Sequence, residues 1–183
     1  MKDSSKLNLD DYLPYLVNRV GSIIADQFGR EALAHHRLSI AMWRVMAALA
    51  SKGEQRQIDL AGLTSIDAST LSRIVTRLVR LGLLTRSRSA SNNREVAVKL
   101  APKGSALVAR LIPVARRFET TAIAGLASQE IAVLKYCLRR MYGNMKNRPA
   151  APQPRAPARF NDQTARVRNA RRLTFGRERT STL

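Results

Sequence analysis

The chain has 183 residues, 45% of them hydrophobic, which suffices for one ordinary domain with a core and excludes wholesale disorder. Lys and Arg number 32 against 13 Asp and Glu, a formal net charge of +19, so the expected partner is a polyanion. A single cysteine excludes an intrachain disulfide framework and a cysteine-based zinc site, and no apolar run approaches the roughly 18 residues that would span a bilayer.

Arg supplies 25 of the 32 cations, and its planar fork suits phosphate and guanine better than the point charge of Lys. The opening MKDSSKLNLDDY lacks an apolar stretch and is acidic where a secretory signal is basic, so the expected compartment is the cytoplasm. From there the pattern is helical. Leu9, Tyr12, Leu13, Leu16, Val20, Ile23, Ile24 and Phe28 recur at three- and four-residue spacing and predict a long first helix over 9–28. Ser39 is placed to cap a second helix that carries Met42, Trp43, Met46 and Leu49 and ends near Lys52-Gly53. A short third helix is expected from Arg56 to Leu63, and Asp67, with Thr70 three residues on, caps a fourth that reaches Leu81-Gly82.

The period then changes. Val96, Val98 and Leu100 alternate with Glu95, Ala97 and Lys99, a strand over 94–100, and 83–89 pairs with it across Ala90-Ser91-Asn92-Asn93. Two long helices follow, over 102–126, expected to be kinked by Pro113, and over 128–147 with a seam of Ile131, Leu134, Leu138, Met141 and Met145. Beyond it, RPAAPQPRAP reads as an extended linker. The segment 148–183 holds nine Arg against Asp162 and Glu178, and is expected to be a disordered basic Arg/Pro-rich tail.

A short helix, a turn and a capped second helix make a helix-turn-helix, and the hairpin after it adds a wing. At about 100° per residue, Leu71, Ile74, Val75 and Leu78 of the fourth helix fall on one side. Ser69, Ser72, Arg73, Thr76, Arg77 and Arg80 fall on the other, beside Thr70 at the helix start. That face has three Arg, small hydroxyls and no acid, the composition that bonds phosphates and base edges. An ordinary solvated helix would mix Glu with its Arg. The wing contributes Arg86, Arg88, Asn92, Asn93 and Arg94, and Arg at the tip of a narrow ribbon fits a minor groove. The competing reading is a solvated turn with incidental charge.

Across residues 7–147 the sequence resembles the MarR (multiple antibiotic resistance regulator) family of bacterial transcription regulators. The resemblance rests on LDDYLPYLVNRV, LSIAMWRVMAAL, IDASTLSRIVTRLVRLGLLTR and NNREVAVKLAPKG in that order. It implies a mostly α fold with a small β-hairpin wing. A winged helix-turn-helix lobe at 56–103 would sit in a domain over 1–147, whose dimerisation helices lie in 1–35 and 104–147. It also implies an obligate homodimer, a pseudo-palindromic double-stranded DNA operator, and a repressor released by a small phenolic or aromatic acid. Two departures stand out. Asn92 replaces the family's Asp two residues before the wing Arg94, so the charge that would orient that guanidinium is missing, and Leu100-Ala101 replaces Leu-Thr at the wing's exit, leaving Pro102 to start the next helix.

For the small acid, the expected pocket is lined by Tyr12, Tyr15, Arg19, His36, Trp43 and Met46, whose aromatic walls and cations suit a planar carboxylate. The alternative is that Trp43 and Met46 are core, the tyrosines pack a dimer and His36 ends a loop. Cys137 is expected to be a small packed residue of the last helix, and with no cysteine near Tyr12 and Tyr15 a peroxide-sensing reading is rejected. No metal site, cofactor or enzyme is expected. No His/Glu metal pair stands at helical spacing, no Gly-rich loop follows a strand, and the two histidines are adjacent. A membrane-surface role for the tail is rejected because it lacks Trp. The rival functions are a sequence-tolerant architectural DNA coater and an RNA-binding module, the latter disfavoured by the lack of stacking aromatics on the hairpin.

Overall fold

The computed structural model describes residues 6–88, without the Arg88 side chain, and residues 96–148. The expected wing tip at Asn92, Asn93 and Arg94 lies outside the described residues, as does nearly all of the expected tail. Two units separate, 1–131 and 132 onward, and the division falls inside the last helix.

The first helix is less regular than its apolar spacing suggests. A 3₁₀ turn at Leu9–Asp11, capped by Asn8, gives way at Tyr12 to extended backbone. Helix α1 then runs over Leu13–Phe28, begun by Pro14, whose missing N–H costs nothing in a first turn. The chain continues through a π turn at Gly29–Leu33 and a 3₁₀ turn at Ala34–His36, and stops where Arg37 adopts φ 55°. Ser39 then caps α2, Ile40–Lys52, by accepting from the Met42 amide at 3.2 Å.

Gln55–Arg56 form a two-residue strand, β1, that the sequence pattern did not predict. Helix α3 spans Gln57–Thr64 and α4 spans Ala68–Arg80. Strands β2, Leu84–Arg88, and β3, Val96–Leu100, complete an antiparallel sheet in the order β1-β3-β2. Gln55 and Arg86 both stand opposite Val98. Helix α5, Pro102–Ala122, passes unbroken through Pro113, and ends four residues short of the expected 126 in a turn where Gly125 has φ 87°. Helix α6 spans Ser128–Lys146.

The core sits around α2. Met42, Val45, Met46 and Leu49 meet Leu60 of α3, Leu71, Val75 and Leu78 of α4, and Leu107, Val108 and Leu111 of α5. At its edge the Phe28 ring lies 5.3 Å from Trp43 and 5.7 Å from Phe118. Each side chain here follows the helical or alternating period, so burial and periodicity agree. Cys137 departs from expectation. It is exposed on α6, a helix that buries none of its own residues among the described part of the chain.

Helix α4 ends in a Schellman motif. Gly82, at φ 69°, donates to Val79 O at 2.9 Å and Leu83 donates to Leu78 O at 3.0 Å. The Leu83 carbonyl in turn accepts from Ala101 N at 3.0 Å, and the first turn of α5 lies so close that a Cβ on Gly104 would stand 2.0 Å from that oxygen. Gly104→Ala must therefore push backbone apart and is expected to lower stability by about 2 kcal/mol or more. Gly62→Ala, with nothing within 4 Å of the added carbon, is expected to be neutral or stabilising. Urea denaturation of the two variants against the parent chain checks both.

Candidate nucleic-acid interface

The register of α4 is fixed at both ends. At the start, Asp67 Oδ1 accepts from Thr70 N at 2.9 Å and from Ser69 Oγ at 2.8 Å. These bonds favour the carboxylate, the Thr70 amide most, and hold Asp67 well below the usual carboxylate range. The Gly82 turn closes the other end. Between them Leu71, Val75 and Leu78 are buried and Ile74 half-buried, which turns Arg73, Arg77 and Arg80 to solvent. Arg77 and Arg80 also lie in the last turn, where cations complement the helix dipole.

The other expected contacts divide into three groups. Ser69 and Thr70 are exposed, but the Ser69 hydroxyl and the Thr70 amide are already engaged in the cap. Ser72 and Thr76 are half-buried, and the Thr76 hydroxyl donates to Ser72 O at 2.9 Å. Arg86 projects from β2 towards the helix-turn-helix. Its Nη2 lies 3.3 Å from Thr76 Oγ1 and 3.5 Å from Gln57 Oε1, and thereby links α3, α4 and the sheet. Gln57 carries no sign of this role in its local sequence. It stands 29 positions from Arg86, and no local pattern reports such a pairing. Arg88 ends β2.

The arrangement is a convex cationic helix face beside a cationic ribbon root. Near it, Arg56 makes a two-pronged pair with Asp59, at 2.6 and 3.1 Å, which fixes the first turn of α3. Lys99 meets Glu54 at 3.8 Å across the exposed side of the sheet.

The six residues expected to hold a small acid are dispersed. Met46 is wholly enclosed in the core, and Trp43 is half-buried against Phe28. Tyr12 is exposed, while Tyr15 is half-buried with the Arg19 guanidinium 5.6 Å from its ring centre. His36 is exposed at the mouth of a cleft that it shares with Arg110. A larger cleft of about 600 Å³ lies between α1 and α5, lined by residues such as Ile24, Gln27, Arg117 and Phe118, and contains none of the six.

The Asp67 cap makes a pH prediction. Its folded pKa is lowered, so its contribution is complete above the ordinary carboxylate value of 3.8 and is lost as pH falls further towards the folded value. The Asp67→Asn variant keeps an oxygen acceptor without the charge. The stability advantage of the parent chain over this variant is therefore expected at pH 7 and should shrink below about pH 4, as urea titrations at the two pH values would reveal.

A family model described as MarR family matches residues 38–96, the stretch from the end of the turn before α2 to the first residue of β3. Among solved structures, a MarR-family transcriptional regulator from Silicibacter pomeroyi is 30% identical with a TM-score of 0.69, over 77% of this chain and 94% of its own. A probable transcriptional regulator from Pseudomonas aeruginosa is 29% identical with a TM-score of 0.65, over 73% and 99%. Bordetella bronchiseptica BpsR, whose DNA binding is regulated by 6-hydroxynicotinic acid, is 28% identical with a TM-score of 0.64, over 71% and 98%. Identity at this level over nearly the whole length of the Silicibacter regulator, together with a family-model match that spans the helix-turn-helix, makes this chain a member of the MarR family of transcriptional regulators.

Proposed function

We propose that the protein is a cytoplasmic homodimer that binds a pseudo-palindromic operator and represses transcription until a small aromatic acid releases it. The carrying observation is the exposed Arg73, Arg77 and Arg80 face of α4, held outward by a buried apolar face on the same helix. A helix presented this way fits a major groove, with Arg73 and Arg77 at base edges and Arg80 at phosphate. Arg86, tied to Thr76 and Gln57, sets the angle of the wing, and Arg88, Asn92, Asn93 and Arg94 are assigned to the adjacent minor groove.

The dimer reading is supported by apolar surface that a monomer leaves wet. Leu13, Val20 and Ile23 of α1 are 52%, 55% and 57% exposed, and α6 exposes Leu134, Leu138 and Met145. Two copies of such helices bury each other's stripes in a self-complementary interface. Regulation of BpsR by 6-hydroxynicotinic acid supports an acid-responsive reading of this relative. Of the six expected ligand residues, Arg19 and His36 are exposed and Tyr15 half-buried, so these keep side chains that an acid could reach, while Met46 is core. Residues 148–183 are assigned to phosphate contacts without fixed register, because nine Arg follow a proline-rich link. A sequence-tolerant DNA coater is the second reading, favoured by the same abundance of Arg.

Three outcomes separate these readings. Sedimentation at micromolar concentration is expected to give a dimer, and a monomer would remove the operator symmetry argument. Arg73→Ala is expected to cost about 1–3 kcal/mol and to blur sequence preference, whereas equal loss on all sequences in a gel-shift panel would favour the coater. Deleting residues 148–183 is expected to flatten the dependence of log affinity on log salt, by roughly 0.9 for each phosphate no longer neutralised, while operator preference is retained.

A further inference from the structure

A second cationic feature lies away from the DNA-facing helix surface. Lys103 and Arg110 are seven residues apart on α5, two turns, so they root on one side of the helix with their α-carbons about 10 Å apart. His36 faces them from the turn before α2, and Leu81, Leu83 and Leu107 lie beneath, which together enclose a cleft of about 210 Å³. Its lining has two fixed cations, one histidine, three leucines and no carboxylate. A neighbouring cleft of about 290 Å³ shares His36 and Arg110 and adds His35 and Arg117, with Glu31 as the acid in its lining. Among the described residues, Arg110 makes no ion pair with a carboxylate. The polar bond of Lys103 is to a carbonyl, Leu81 O at the end of α4, at 3.2 Å.

We propose that the Lys103–Arg110 cleft binds an elongated organic dianion, an apolar chain with a carboxylate at each end. One carboxylate sits on Arg110 and His36, the other on Lys103, and the chain between them lies on Leu81, Leu83 and Leu107. Two features select this chemistry. The apolar floor favours a hydrocarbon body over a phosphate or sulfate, and cations rooted two helical turns apart favour a ligand with two separated charges over one. The site differs from the expected aromatic-acid pocket in every residue except His36. It also touches Leu81 and Leu83, where α4 closes, so an occupant bears on the end of the helix assigned to DNA. Binding is measured on the DNA-free chain and does not depend on the DNA-binding reading.

The test is calorimetric titration of the full chain with straight-chain dicarboxylates from malonate to sebacate, and with octanoate as the one-charge control. Affinity is expected to peak near suberate, whose extended carboxylates are about 10 Å apart, and to exceed that of octanoate by about tenfold. Lys103→Gln should bring suberate down to the octanoate level, Lys103→Arg should restore it, and Arg110→Gln should weaken both ligands. Absence of saturable suberate binding, indifference to chain length, or an unchanged affinity in Lys103→Gln would each overturn the proposal. Both side chains are exposed, and if Lys103→Gln nevertheless fails to fold, the chain-length series on the parent protein decides alone.

Discussion

The architecture turns on the backbone of one residue. Leu83 closes α4 with its amide, receives the start of α5 with its carbonyl, and fills the core with its side chain. Because Gly104 lacks a side chain, α5 approaches that carbonyl without obstruction. The end of α4, the root of the wing and the first turn of α5 therefore meet at a single residue. Their relative placement follows from a few hydrogen bonds over a short span, none of which requires a long flexible connection.

From that anchoring the exposed face of α4 acquires its meaning. An amphipathic helix is common, but one whose rotation is fixed at both ends presents its arginines at set angles. The Asp67 cap determines where the first turn begins, and the Gly82 turn determines where the last ends. Arg86 then reaches from the sheet to Thr76, so the wing root is oriented by the helix it flanks. This is an inexpensive solution in chemical terms, since exposed side chains and ordinary caps supply the whole of it.

Much of this was legible in the sequence because it obeys local rules. Ser39, Asp67 and Gly82 are cap residues at the positions where helices start and stop, and the buried face of α4 follows from its 3.6-residue period. Strand alternation in 96–100 was equally plain. What escaped was non-local. The two residues of β1 are too few to show a period and become a strand only by pairing with β3, more than forty positions on. The aromatic contact of Phe28, Trp43 and Phe118 brings three helices together, and it draws Trp43 to the edge of the core. Arg110 drew no attention in the sequence because its neighbours there are unremarkable, and its importance comes from His36 in space. The single long first helix failed for a different reason, since apolar spacing continues through Tyr12 although its backbone is extended.

The sheet order has a consequence for how such a protein can change. Strand β3 is held from both sides, by Gln55 on one edge and by Arg86 on the other, with Val98 buried between them. Its alignment thus rests on pairing along two edges rather than one. A slip of β3 by one residue would turn Val98 to the outer face and break both pairings together, so the two edges resist it jointly. The exposed side chains of these strands can therefore change to suit a partner while the register that buries Val98 stays as it is.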